Sequence, residues 1–323
     1  MRGVFLDINT VGPEDLDLDP LTTTLDDWSF HEQTSADQMQ QAIQDADIVI
    51  TNKVPVDRGT LLAANSLALI CVAATGTNNI DLVAAGERNI TVCNVRAYAT
   101  TSVVEHVFSV ILALTRRHHD YRLAVGSGRW QSAASFCLLD YPVRELAGQT
   151  LGIIGYGELG RAVARMGEAF GMKILIAQRP GIDNKPETGR TPLGQLLAQS
   201  NIISLHCPLT EATANLIDRN ELEQMREDAL LINTARGGIV NETALSQALL
   251  SGRIAGAAVD VLSEEPPRHG NPLLNNSIPN LIVTPHIAWA GVNARQTLIN
   301  ELATNIKAFL DGRPRKVVAA PCH

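Results

Sequence analysis

Residues 151–160 read LGIIGYGELG, and the helix-spaced RAVARMGEAF follows directly. A short apolar run that enters Gly-x-Gly-x-x-Gly and leaves as an amphipathic stretch imposes a strand, a tight turn and a helix in that order. Gly155 permits the sharp turn, Gly157 lets the main chain approach a pyrophosphate with no Cβ between them, and Gly160 lets the helix close onto the strand. The free amides of the first helical turn, at the positive end of the helix dipole, face any phosphate bound there. The pattern predicts a dinucleotide site at the head of a parallel α/β domain.

The alternation extends along the chain. Val4–Leu6, Asp47–Thr51, Leu67–Ala73 and Thr91–Val95 read as buried strands, with helices over Ala36–Ala46, Thr60–Asn65 and Leu82–Arg88. A long helix, Ser102–Arg117, and an irregular stretch, Gly126–Gly148, lead into a second series. Its strands read as Thr150–Ile154, Lys173–Ala177, Ile202–His206, Ala229–Asn233, Gly256–Val261 and Leu281–Thr284. A helix Glu242–Ser251 is framed by Asn241 as N-cap and Gly252 just past its end. Short apolar runs alternating with amphipathic stretches predict two Rossmann-like, doubly wound parallel sheets with a cleft between them. At 323 residues, 45% hydrophobic, the chain is long enough for two cores. After His286 one helix remains, about Asn293–Leu310, too little for a domain. It is expected to return to the N-terminal part, giving a discontinuous domain of residues 1–97 plus 288–323, flavodoxin-like, and a dinucleotide domain of residues 98–287.

A formal net charge of −8 and the lack of a basic stripe argue against nucleic-acid binding. The one dense cationic spot, Arg116 to His119, reads as a solvated helix end. Cys71, Cys93, Cys137, Cys207 and Cys322 are odd in number, far apart and without a CxxC pair, as in a reduced chain that uses most of them as small core residues. The opening MRGVFLD reads as a strand, not a signal peptide, and the most apolar helix carries Glu105 and His106. A cytoplasmic protein without a membrane span is therefore expected. No His/Cys/Asp set has metal-ligand spacing, so no metal is expected.

In open parallel sheets ligands bind beyond the C-terminal strand ends. There the second series places His206, Arg236, Asp260 and His286, at four strand ends. Arg236, in NTARGG, suits bidentate capture of a carboxylate, and Gly237 and Gly238 let its loop turn closely beside a ligand. His286, in TPHIAWA, can exchange a proton near neutral pH. A carboxylate beside it would fix its tautomer; Glu264 and Glu265 are both near in sequence, and spacing does not choose between them. An acidic residue that would hold a ribose 2′-hydroxyl is expected about 20 residues past the glycine turn. Gln178 and Arg179 stand there instead, a pair better suited to a 2′-phosphate.

The ordered segments ATGTNNID (74–81), TTSVVEH (100–106), LGIIGYGELG, LHCPLT (205–210), NTARGGIV (233–240), AAVDVLSEEP (257–266) and TPHIAWA (284–290) resemble the D-isomer-specific 2-hydroxyacid dehydrogenases over nearly the full chain. ATGTNNID and HIAWA look most like the glycerate dehydrogenases, or hydroxypyruvate reductases. The resemblance implies Arg236, Glu265 and His286 as the catalytic set, with Glu265 the acid directly before Pro266. It implies that Thr75 and Gly76 bind the substrate carboxylate beside Arg236 and His286. Cofactor contacts would come from Gly155, Gly157, Glu158, Leu159, Gly160, Gln178, Arg179, His206, Cys207, Pro208, Thr213, Thr234, Ala235, Asp260 and His286. Asp260 would face the nicotinamide amide, and Thr100–Val104 would lie near the same ring. The implied activity is reversible hydride transfer between NAD(P)H and a small 2-keto acid, with NADP or NAD as cofactor and a homodimer as the assembly. Gln178 replaces the Asp of many members, so NADP is favoured. A second reading on the same fold is a dinucleotide-sensing corepressor or scaffold.

Overall fold

The computed structural model of the chain describes residues 1–179 and 188–319. It divides into two compact units, one of Met1–Ala99 with the chain from Ala290 onward, the other of Thr100–Trp289.

In the first unit β1 (Arg2–Phe5), β2 (Asp27–Phe30), β3 (Ile48–Thr51), β4 (Leu69–Val72), β5 (Thr91–Cys93) and β12 (Val317–Ala319) form one sheet in the order β12-β5-β4-β3-β1-β2. The strands β1 to β5 are parallel and take the 2-1-3-4-5 order of flavodoxin-like sheets. Central strands are buried on both faces, so β3 and β4 read as unbroken apolar runs rather than alternating ones. Around them lie α1 (Asp19–Thr22), α2 (Ala36–Ile43), α3 (Arg58–Ala63), α4 (Leu82–Glu87) and α11 (Val292–Leu310). Asp57 and Asp81 start α3 and α4 by accepting from the amides of Thr60 and Ala84. The late helix α11 packs on α1 and β4, and Arg295 holds Asp15 through two bonds of 2.7 and 2.8 Å.

Two strands of this sheet escape the apolar-run rule. The edge strand β2 is half exposed, and its Trp28 lies where a Cβ on Gly3 would approach to 2.6 Å, so Gly3 makes room for the indole. At the other edge the short β12, which follows α11 in the chain, pairs antiparallel with β5.

The second unit begins with α5 (Thr100–Thr115) and α6 (His118–Gly126). Its sheet orders β6 (Thr150–Ile154), β7 (Lys173–Ile176), β8 (Ile202–Leu205), β9 (Leu230–Asn233), β10 (Gly256–Val259) and β11 (Leu281–Val283) as β11-β10-β9-β8-β6-β7, all parallel. Thr191 adds a single parallel bridge outside β7, at Ala177. With it the order becomes that of a dinucleotide-binding sheet whose third strand is reduced to one residue. The connecting helices are α7 (Glu158–Ala169), α8 (Leu193–Gln199), α9 (Arg219–Gln224) and α10 (Glu242–Leu250). Asn241 caps α10 at the Ala244 amide and Gly252, at φ +71°, ends it. In α7, Gly160, Val163, Ala164 and Gly167 form the buried stripe.

In the cationic spot after α5, Arg116, His118 and His119 are exposed, as expected of a solvated helix end, whereas Arg117 is engaged. Arg117 sits in the left-handed region between α5 and α6, pairs with Asp120 at 2.7 Å, donates to Asn280 Oδ1 at 2.6 Å and lies over the Tyr141 ring. Cys71, Cys93 and Cys207 are buried, whereas Cys137 is partly exposed. Cys322 lies outside the described residues. Among the described residues no helix is long and apolar enough to cross a membrane, and no cluster of three or more His, Cys, Asp or Glu is arranged to hold a metal ion.

Candidate active site

The glycine turn shows why each position excludes a side chain. Gly155 has φ +94°, and a Cβ there would meet the His206 carbonyl carbon at 2.5 Å. A Cβ on Gly160 would lie 2.0 Å from the Gly155 carbonyl oxygen, so only glycine lets α7 start this close to the turn. At Gly157 a Cβ would meet nothing within 4 Å. That space is open, and the amides of Glu158 and Leu159 begin α7 beside it.

Two buried polar atoms at the neighbouring strand ends have no partner: Nδ1 of His206, just past β8, and Oγ1 of Thr234, just past β9. Buried polar atoms are rarely left unpaired. An open glycine turn at a 12-residue helix, together with these atoms, fits a polar dinucleotide. Burial of the His206 ring pushes its pKa down to about 4, so it is neutral at physiological pH, with Nε2 2.9 Å from Ser204 Oγ. Cys207 is buried and Pro208 exposed. Thr213 is committed to its own loop: its hydroxyl donates to the Pro208 carbonyl at 2.7 Å and accepts from the Thr210 amide at 2.7 Å. Past β7, Gln178 is half-buried and Arg179 exposed, and the Gln178 amide donates to the Thr191 carbonyl at 2.9 Å.

Because β8, β9, β10 and β11 are adjacent, His206, Arg236, Asp260 and His286 follow successive strands at one edge. Asn233 builds the Arg236 loop, accepting from the Ala235 amide at 3.1 Å and donating to the Arg236 carbonyl at 3.0 Å. Arg236 is exposed and one guanidinium nitrogen donates to the Ala235 carbonyl at 2.7 Å. A Cβ on Gly237 would sit 1.9 Å from the Leu262 carbonyl oxygen. The absence of that atom lets the Arg236 loop lie directly on the segment that carries Glu265.

The choice between the two neighbouring acids is resolved by their contacts. Glu264 pairs with His269 at 2.8 Å, while Glu265 Oε2 lies 2.6 Å from His286 Nδ1. Glu265 Oε1 accepts from the Leu262 amide at 2.9 Å, so the carboxylate is fixed at both oxygens. His286 stands at φ +56°, a backbone state that costs a non-glycine residue of order 1–3 kcal/mol. Asp260 offsets this. It is buried, and its carboxylate accepts from Thr284 Oγ1 at 2.5 Å, the Ile287 amide at 2.9 Å and the Ala288 amide at 2.8 Å. The Trp289 indole donates to the His286 carbonyl at 2.9 Å.

Two contributors went unread in the sequence. Glu242, in the first turn of α10, accepts from the Ser263 amide, the Ser263 hydroxyl and Asn271 Nδ2, each at 2.7 Å, and so anchors the loop around Glu265. His106 of α5 lies 3.3 Å from Thr284 Oγ1. An acid at a helix start and a histidine in an apolar helix carry no local signal of these long-range contacts. Thr75 and Gly76 belong to the first unit, where the Thr75 hydroxyl donates to the Val95 carbonyl at 2.9 Å.

Comparison with known proteins adds four likenesses. A family model described as "D-isomer specific 2-hydroxyacid dehydrogenase, NAD binding domain" matches residues 108–288. A glycerate dehydrogenase of Methylorubrum extorquens is 45% identical over 312 residues, 94% of this chain and 98% of that protein. A hydroxypyruvate reductase of Blautia hydrogenotrophica is 36% identical over 98% of this chain and 99% of its own. Among solved structures, D-lactate dehydrogenase from Aquifex aeolicus complexed with NAD and lactic acid superposes with a TM-score of 0.82 at 28% identity, covering 99% of this chain and all of the other.

Proposed function

The chain belongs to the D-isomer-specific 2-hydroxyacid dehydrogenase family, and on that premise we propose that it moves hydride reversibly between a nicotinamide dinucleotide and a small 2-keto acid of the hydroxypyruvate or glyoxylate class. The observation that carries this reading is the Glu265–His286 pair, on a segment lying directly against the Arg236 loop. Bound nicotinamide dinucleotide supplies or accepts the hydride.

The chain's own residues do the rest. Arg236 takes the substrate carboxylate as a charge-assisted pair and so presents the 2-carbonyl in one orientation. Thr75 and Gly76, by resemblance, contribute amides to the same carboxylate. With Nδ1 of His286 held by Glu265, Nε2 faces the substrate and donates its proton to the oxygen as charge develops on it. Glu265 stabilises the imidazolium and keeps the ring oriented. In the reverse direction Nε2 takes the hydroxyl proton.

Gly155, Gly157 and Gly160, with the amides of Glu158 and Leu159, would hold the pyrophosphate, and Cys207 and Pro208 would border the adenosine. His206, Thr234 and Ala235 would flank the cofactor from the neighbouring strand ends. Thr213 shapes its loop for the same purpose. Asp260 has its carboxylate engaged by the 284–288 turn, and its part is to hold that turn beside the nicotinamide. Gln178 offers no negative charge against a 2′-phosphate and Arg179 adds a positive one, which supports NADP over NAD. A homodimer is part of the proposal, supported by the exposed apolar side chains of Trp130, Phe136 and Leu139 in the stretch after α6.

The test is a panel of 2-keto acids with NADH and NADPH, followed by loss of the reduced-nicotinamide absorbance. Turnover of hydroxypyruvate or glyoxylate supports the reading. Tight cofactor binding without turnover of any member of the panel overturns it in favour of a sensor.

A further inference from the structure

The helix α5 places Ser102 and His106 on one face, four residues apart. Both reach the 284–288 turn. Ser102 Oγ donates to the Ala288 carbonyl at 2.7 Å, and His106 Nε2 lies 3.3 Å from Thr284 Oγ1 and 3.9 Å from Asp260 Oδ1. One helix face therefore grips the turn at both ends, with His286 between them. The helix is a firm support, since Val103, Val107, Val110 and Ile111 are buried along it.

The direction of these bonds follows from counting protons. Thr284 has one hydroxyl hydrogen, and the Asp260 carboxylate 2.5 Å away accepts it. The Thr284 oxygen then faces His106 with a lone pair, so Nε2 must carry the proton there. The reverse arrangement would set a lone pair of Thr284 against an ionised carboxylate at 2.5 Å. His106 is thus fixed as the Nε2–H tautomer, and its bond polarises the hydroxyl toward Asp260. Asp260 in turn holds the amides of Ile287 and Ala288, and its own carbonyl accepts from the His286 amide at 2.8 Å.

We propose that His106 is a positioning residue for the reaction: through Thr284 and Asp260 it holds the turn that presents His286, without itself meeting substrate or cofactor. The inference rests on the reading of His286 as the acid/base group.

The test compares His106→Leu, His106→Gln and Thr284→Val with the native protein. In His106→Leu, kcat for 2-keto-acid reduction should fall about ten-fold or more, while cofactor affinity measured by fluorescence titration and the KM for the keto acid stay within about two-fold. His106→Gln, which keeps a donor, should recover most of the loss. Thr284→Val should mimic His106→Leu, and combining the two should add little, because they break one chain in series. Native kcat in a folded His106→Leu, or fully additive losses, would overturn the proposal. If His106→Leu fails to fold, the near-isosteric Thr284→Val carries the same test. Separately, ¹⁵N spectra of the substrate-free protein should show His106 protonated at Nε2, and an Nδ1–H form would overturn the link. Absence of all keto-acid turnover in the native protein would instead count against the acid/base reading and leave the tautomer measurement to decide on His106.

Discussion

His286 Nδ1 lies 2.6 Å from Glu265 Oε2, across 21 positions of chain, and the Leu262 amide fixes the other carboxylate oxygen. The pair holds the imidazole in one orientation and, in the proposed reaction, leaves the other ring nitrogen for the substrate.

Removing that imidazole should abolish proton transfer and spare binding. In His286→Ala, kcat for hydroxypyruvate or glyoxylate reduction should fall by about 10²–10⁴, with cofactor binding by fluorescence titration unchanged. Near-native turnover would take His286 out of the mechanism.

Glu265 should matter to turnover and its neighbour should not. In Glu265→Gln, which removes the charge beside the imidazole, kcat for keto-acid reduction should fall about ten-fold or more. Glu264→Gln should leave kcat in place, because Glu264 faces His269. A loss in the second variant and none in the first would reverse the assignment.

Cofactor choice should follow the end of β7. NADPH should be used at least as well as NADH. Gln178→Asp should shift kcat/KM toward NADH, and Arg179→Ala should lower the NADPH value. An exposed guanidinium–phosphate contact is screened by salt, so the preference should weaken as ionic strength rises. Strong NADH preference in the native protein would contradict the proposal.

The buried His206 ring gives a prediction about stability. Its folded pKa, about 4, lies below the ordinary value of 6.5. Between these two values the unfolded chain binds the proton more readily, so stability falls as pH drops from 6.5 toward 4 and levels off below. The shift corresponds to at most about 3 kcal/mol. Urea midpoints at pH 7 and 4.5 should therefore differ more in the native protein than in His206→Gln. Equal differences would show that His206 does not titrate as its burial requires.

What the sequence disclosed follows from how local each signal is. The glycine turn is legible because one backbone conformation and two close approaches demand glycine at fixed spacing. The strands β3 and β4 are legible because burial on both faces makes them continuously apolar. Edge strands lack that signature: β2 is half exposed and β12 has three residues. The partners of His286 were partly open, since adjacent acids differ only in which way the chain turns. His106 and Glu242 were hidden altogether, because their roles exist only once α5 and α10 are docked against distant loops.

Past His286, Asp260 holds the turn by the amides of Ile287 and Ala288 and not by their side chains, and this divides these positions into fixed and free. Proline, which has no amide hydrogen, is forbidden at 287 and 288. Ala288 is buried and must stay small, whereas the Ile287 side chain is 46% exposed and takes no part in the grip. Position 287 is accordingly where a sequence library can vary size and polarity next to His286 while the Glu265–His286 geometry is inherited unchanged.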